Sequence, residues 1–179
     1  MNKYLLDTNF FLDSSLRYYQ NDFFQDFWKW LRHSAQKPSI KTIKKVKEEL
    51  NRKNDFISNF IKEMSKDFFI DETKYLENYA QVIQASQDMD FNPSAKEQFA
   101  QAYRADAWLL AVAQRDNFIV VSNEKMPDKK EKKNIKIPRM CDKLGIKCID
   151  IFDFIKEQKL EFCIKNMPHI LEYTLFDLK

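Results

Sequence analysis

Glycine is all but missing from this chain: Gly145 is the only one in 179 residues. Loops that bring backbone N–H groups onto phosphates, such as dinucleotide fingerprints, Walker-type loops and kinase lids, need clustered glycines. A nucleotide cofactor held in any of those ways is excluded. Cysteine is scarce too. Cys141, Cys148 and Cys163 are odd in number and lack C-x-x-C spacing, so neither a disulfide framework nor a zinc knuckle is expected. No apolar run approaches the ~20 residues that a membrane span requires. The opening "MNKYLL" carries a single lysine and turns polar at Asp7, which is not the pattern of a signal peptide. The expectation is a reduced, cytoplasmic, soluble protein with no membrane partner.

What is present fits one well-cored domain. The chain is 44% apolar and holds sixteen phenylalanines, an ordinary globular composition with a heavy aromatic share. A net charge of +3 does not by itself argue for nucleic acid. Lysines do concentrate in "KMPDKKEKKNIKIPR", residues 125–139. That stretch reads either as a solvated loop or as an edge that contacts phosphate.

Apolar periodicity places short strands and helices in alternation. "KYLLD" (3–7) reads as a buried strand, and Phe23, Phe24, Phe27, Trp28 and Leu31 take the spacing of a core-facing helix. Next come a brief extended piece near Ile40 and a helix carrying Ile43, Val46 and Leu50, with Thr42 as its N-cap. Helices are expected over 54–65 and 72–87, with 67–71 between them as strand or linker. Another begins at "NPSAKEQF" with Asn92 or Ser94 as cap, and "RADAWLLAVAQRDN" (104–117) is made of good helix formers. "FIVVSNE" is a β-branched strand, followed by helix "IPRMCDKLG", strand "IKCIDIF" and helix "DFIKEQ". Such alternation implies a parallel sheet with helices on both faces, and ligands at the carboxyl ends of its strands.

Four acids stand out by position. Asp7 and Glu124 each follow a strand, Glu49 sits beside the buried face of a helix, and Asp106 opens the "ADAWLLA" helix. Each also has a plain structural reading. Asp7 can cap a turn, Glu49 can be a surface charge, Asp106 complements a helix dipole, and Glu124 can be loop. If they converge, two carboxylates ~5 Å apart repel by roughly 3 kcal/mol at an effective dielectric near 20. A cluster of that kind persists by shifting its pKa values or by binding cations. The two histidines, His33 and His169, lie outside these segments, so the donors would all be oxygen. Such a set suits Mg²⁺ or Mn²⁺ rather than Zn²⁺.

"YLLDTNFFLD", "KVKEEL" and "ADAWLLAVAQRDNFIVVSNEK", in that order and spacing, resemble a PIN-domain protein over about residues 3–155. The similarity is to a bacterial and archaeal PIN-like branch. It implies an α/β fold, a three-layer α/β/α sandwich with a central, mostly parallel sheet. It also implies a metal-dependent ribonuclease, in some cases the toxin of a type II toxin–antitoxin pair. Asp7 matches the first acid of the family and Asn9 the polar residue beside it. Glu49 matches the helix acid, with Glu48 one position away, and Asp106 the acid of the "D-A-x-x-x-A" helix. Ser122 and Glu124 stand where the family shows T-x-D, so the fourth acid is one methylene longer. The resemblance thus makes Asp7, Glu49, Asp106 and Glu124 the catalytic residues and the ligands of Mg²⁺ or Mn²⁺, with Asn9 and Ser122 positioning them. Arg17, Tyr18 and Lys125 are weaker candidates for contact with RNA; the tyrosine also reads as packing. The implied partners are an RNA substrate, an antitoxin protein and a second copy in a homodimer. A PIN fold without catalysis, serving as an RNA-binding or scaffolding module, is the alternative. A haloacid-dehalogenase-like phosphatase fails, because it needs an acid where Asn9 stands. Residues 1–157 form the expected domain, and 158–179 an extension that packs on it or on a partner.

Overall fold

The run Tyr4–Leu6 forms β1 and is buried along its whole length, as a continuous apolar strand between two layers must be. A computed structural model describes residues 2–52, 55–128 and 130–162. Strand β1 pairs in parallel with β2 (Ile40–Ile43) on one side and β4 (Ile119–Val121) on the other. Beyond them lie β3 (Phe69–Ile70) and β5 (Cys148–Ile149), giving the order β3-β2-β1-β4-β5 with every pair parallel. Parallel neighbours need long crossovers. These are supplied by α1 (Thr8–Asp13), α2 (Gln25–Ser34), α3 (Lys44–Leu50), α4 (Phe56–Lys62), α5 (Leu76–Gln87), α6 (Pro93–Phe99), α7 (Ala105–Asp116) and α8 (Ile137–Leu144). After β5 the chain continues into α9 (Ile151–Glu157). The result is the three-layer α/β/α sandwich expected from the sequence.

Helix α7 is the central helix of the core. Eight of its twelve residues are buried, from Ala105 to Ala113, so it has no solvent face over its first two turns beyond Asp106. It packs against both α5 and α8. Asn117 ends it in the left-handed region at φ 55°, which asparagine tolerates. Gly145 ends α8 in the same way at φ 68°, the one place in the fold where glycine's freedom is used. At the other side of the sheet, Phe154 meets Tyr4 and Phe10 edge-on, with ring centroids 5.1 and 5.7 Å apart.

Several local expectations change. Phe23 is 78% exposed and Phe24 38%, because a turn precedes α2 and the helix begins only at Gln25. Thr42 caps nothing: it lies in β2, and its hydroxyl donates to the Leu6 carbonyl at 2.7 Å. Ile43 is a strand residue, and α3 follows it without a linker or a side-chain cap. Residues 67–71 contain a true edge strand, β3. Neither Asn92 nor Ser94 makes a capping bond; Pro93 opens α6. The lysine-rich segment is anchored, with the Lys132 carbonyl accepting from Asn92 N at 3.0 Å and Ile135 buried. Phe162 stacks on Tyr19 with centroids 5.4 Å apart, so the extension expected from residue 158 starts against the domain. Residues 163–179, including Cys163, lie outside the described residues; Cys141 and Cys148 are free thiols. Among the described residues no helix is long and apolar enough to cross a membrane.

Candidate functional site

The strand order reverses between β1 and β4. From β1 the chain builds outward through β2 and β3, then returns to place β4 and β5 on the opposite side. Neighbouring connections there leave the sheet in opposite directions, which opens a crevice at the carboxyl ends of the strands. Asp7 leaves β1 at that point, and its N–H donates to the Val121 carbonyl at 3.1 Å. Ser122 and Glu124 leave β4 beside it.

Asp7 is the best-held of the four acids and is 1% exposed. Its Oδ1 accepts from Thr8 N at 2.7 Å, so it does cap α1. Its Oδ2 accepts from the Ser122 hydroxyl at 2.8 Å. Capping alone does not account for it. Burial, and next the charge of Asp106, push the Asp7 carboxyl up to about 8 against the pull of Ser122 and Thr8; Glu124 raises it further. Asp106, in the first turn of α7, is raised to about 6. Burial is the main cause, Arg104 and Lys136 oppose it, and Glu124 and Glu49 add to it. Four carboxylates from four separate parts of the chain therefore feel one another's charge.

The two glutamates are engaged differently. Glu49 Oε1 accepts from Ala105 N at 3.0 Å, at the start of α7, and Oε2 from the Thr8 hydroxyl at 2.6 Å. Glu48 is exposed, so Glu49 is the acid that faces the crevice. Glu124 Oε2 accepts from Ile137 N at 2.8 Å, at the start of α8, and Oε1 meets Lys136 Nζ at 3.1 Å. Each glutamate thus satisfies a helix N–H that has no intrahelical partner. Among the described residues Asp106 has no such tie; it meets Arg104 at 3.3 Å. A cavity of about 60 Å³ opens here, lined by Asp106, Glu124, Arg104, Lys136 and Asn134. Asp7 and Glu49 do not line it; Asp7 acts on the site through the charges of Asp106 and Glu124. Among the described residues, no three carboxylate, imidazole or thiol groups are drawn together tightly enough to form a ready ion site.

The other candidates are less central. Asn9, the second residue of α1, is half-buried and bonds to none of the four acids among the described residues. Arg17 pairs with Asp13 at 3.5 Å on the surface, and Tyr18 packs edge-on against Phe152 with centroids 5.0 Å apart. Lys125 is exposed, one residue from Glu124. Three contributors escaped the sequence reading: Thr8, Arg104 and the specific role of Lys136. Thr8 sits inside "LDTN" and Arg104 lies two before Asp106, but their partners come from other elements.

No curated protein and no solved structure matches the chain. Residues 4–162 match the family described as a domain of unknown function, DUF4411. The chain belongs to the DUF4411 family. The matched span runs from β1 to Phe162, so the DUF4411 domain contains all four acids, both cations and the whole sheet.

The donor chemistry of the crevice is all oxygen, and two of its carboxyls are raised, first by burial and then by the charge of neighbouring carboxylates. Such a set fits a hard divalent ion, Mg²⁺ or Mn²⁺. Asp106 is the member the fold ties least, and Asp7, though well held, is the one whose charge burial opposes most.

Proposed function

We propose that this DUF4411 protein is a PIN-like, Mg²⁺- or Mn²⁺-dependent ribonuclease. The observation that carries the reading is the buried Asp7 at the β1/β4 switch point, in electrostatic contact with Asp106 and Glu124. An isolated carboxylate is not buried without compensation. The ordered motifs that resemble the PIN family support the same reading from the sequence.

In this proposal Asp7 and Asp106 would hold the metal, with Glu124 as a further oxygen donor. A bound ion of this kind lowers the pKa of its water and neutralises charge at phosphorus. Ser122 and Thr8 fix the Asp7 carboxyl by hydrogen bonding to its two oxygens and favour its ionised form, against the burial that raises it. Glu49, anchored on Thr8 and on α7, would orient the attacking water in this reading. Hydrolysis of this kind would break the P–O3′ bond as water adds to phosphorus, with the water's proton passing to the leaving oxygen, so the ends would be 5′-phosphate and 3′-hydroxyl. A toxin role beside an antitoxin, in the cytoplasm, is the biological setting that the resemblance implies.

The test is cleavage of single-stranded RNA in Mn²⁺ by wild type, Asp7→Asn, Asp106→Asn and the double variant, each first checked for a cooperative melt. The expected outcome is a loss of at least 100-fold in each single variant, in line with removal of a metal ligand. An undiminished double variant rejects the site. A second reading, a non-catalytic binding or scaffolding domain, is favoured by one observation: Glu49 and Glu124 each have both oxygens engaged by the fold. A wild type that shows no saturable Mg²⁺ or Mn²⁺ binding by calorimetry supports that reading instead.

A further inference from the structure

Two cations stand in the acidic cavity at positions where a helix does not favour them. Arg104 is the residue immediately before α7 and Lys136 the residue immediately before α8. Helix N-termini carry partial positive charge and attract anions; a cation there is disfavoured by the dipole. Both side chains are held in place by carboxylates, Arg104 by Asp106 at 3.3 Å and Lys136 by Glu124 at 3.1 Å. Both are 41% exposed, whereas their partners are 21% and 16% exposed. The cations therefore stand nearer the mouth of the cavity and the acids nearer its floor. Gln98 and Asn134 complete the wall with neutral donors.

We infer that Arg104 and Lys136 form a clamp for a phosphodiester phosphate, paired with Asp106 and Glu124 until a divalent cation takes those carboxylates. This rests on the metal-dependent reading above. Four carboxylates against two cations leave the ionised crevice at a formal charge of −2, which repels a polyanion. One divalent ion brings that to zero and competes for the oxygens that now restrain the two cations. Arg104 and Lys136 then face the cavity mouth with two helix N-termini behind them. Helix α7 has twelve residues and α8 eight, enough for their dipoles to favour an anion, although the first N–H of each is already taken, by Glu49 and by Glu124. The guanidinium fork suits two oxygens of one phosphate, and the lysine acts as a point charge. Metal and phosphate binding are coupled by this exchange of partners, with no movement of the backbone required.

The experiment uses the full chain and two separate readouts. Calorimetry measures Ca²⁺ affinity, Ca²⁺ being another hard ion for oxygen donors. Fluorescence anisotropy then measures binding of a labelled single-stranded RNA 10-mer in Ca²⁺ and in chelator. For the wild type, RNA affinity is expected to be at least about tenfold higher in Ca²⁺. Arg104→Gln and Lys136→Gln should each weaken RNA binding in Ca²⁺ by about tenfold and reduce its salt slope by about 0.7. Their Ca²⁺ affinity should be unchanged or tighter, since a competitor has been removed. Lys136→Arg, which keeps the charge, should retain RNA binding and guards against loss through misfolding. Unchanged RNA affinity in both Gln variants overturns the clamp. Parallel loss of Ca²⁺ and RNA affinity also overturns it, because the cations would then only be shaping the carboxylates. A wild type with no saturable Ca²⁺ site sinks the metal-dependent reading itself, and the clamp with it.

Discussion

Asp7→Asn in the absence of divalent ions is the sharpest test of the electrostatics, and it needs no substrate. Asp7 lies near 3.8 in the unfolded chain and at about 8 in the folded one. An acid raised on folding binds more protons in the native state between those values, so it lowers stability as pH rises through that window. The slope is ~1.4 kcal/mol per pH unit, which amounts to about 4 kcal/mol between pH 5 and pH 8. Asparagine removes the titration and keeps the contacts. Its Oδ1 accepts from Thr8 N, and its Nδ2 donates to a turned Ser122 hydroxyl. Measured by urea denaturation in chelator, the variant should gain about 4 kcal/mol relative to wild type from pH 5 to pH 8. By thermal melting that is on the order of 8–16 °C for a domain of this size. Titratable groups outside the crevice act on both proteins and cancel in the difference; Asp106, whose charge presses on Asp7, is relieved by the same substitution and adds to the gain in the same direction. Millimolar Mg²⁺ should close the gap at pH 8 by stabilising the wild type alone. Stability curves that stay parallel from pH 5 to pH 8 would refute the reasoning, since Asp7 would then be neither desolvated nor pressed by its neighbours.

Two further substitutions separate fold from site. Ser122→Ala removes the donor to Asp7 Oδ2 and should cost about 1–3 kcal/mol. Because that bond favours the ionised form, the deficit seen by denaturation should widen as pH rises through 8; a pH-independent deficit contradicts the assignment. Glu49→Ala strands Ala105 N–H and the Thr8 hydroxyl and should cost about 1–2 kcal/mol. Glu49→Gln can keep both contacts and should lose less than half of that in the same assay. Equal losses would mean that the charge at the start of α7, not the hydrogen bonds, holds the helix.

The elements legible in the sequence are those whose burial is uniform. β1, β4 and α7 are apolar enough that no alternative face exists for them, and their order is sufficient for a parallel sheet. The failures are local and have a common cause, the absence of punctuation. With no glycine before Gly145, nothing marks where the aromatic run 23–31 changes from turn to helix, so Phe23 and Phe24 read as core. Nothing separates β2 from α3 either, and Thr42 reads as a cap although its hydroxyl is used across strands. The acids were visible as positions, but not as contacts. Neighbours such as Glu48 and Glu49 look equivalent until Thr8 and Ala105 are seen to reach for only one of them. Arg104 and Lys136 lie 32 residues apart in sequence and share a cavity only because α7 and α8 start on the same side of the sheet.

The four acids differ in how much the fold explains. Glu49 joins α3 to α1 and α7, and Glu124 joins the end of β4 to α8, so each stabilises the chain whether or not anything binds. Removing all function would leave both residues with a structural reason to be acidic. Asp7 and Asp106 have much less of one. Thr8 and Ser122 would be served as well by asparagine at position 7, and among the described residues Asp106 pairs with Arg104 at the cavity mouth. Both aspartates are held above their ordinary pKa, which means that the folded chain bears a free-energy penalty for keeping them there. Such a penalty calls for an offset, and among the described residues the cations that act on Asp106 are Arg104 and Lys136, with any cation taken from solvent beside them. The functional weight therefore rests on the two aspartates, with the glutamates acting as the pins that keep α7 and α8 aimed at them.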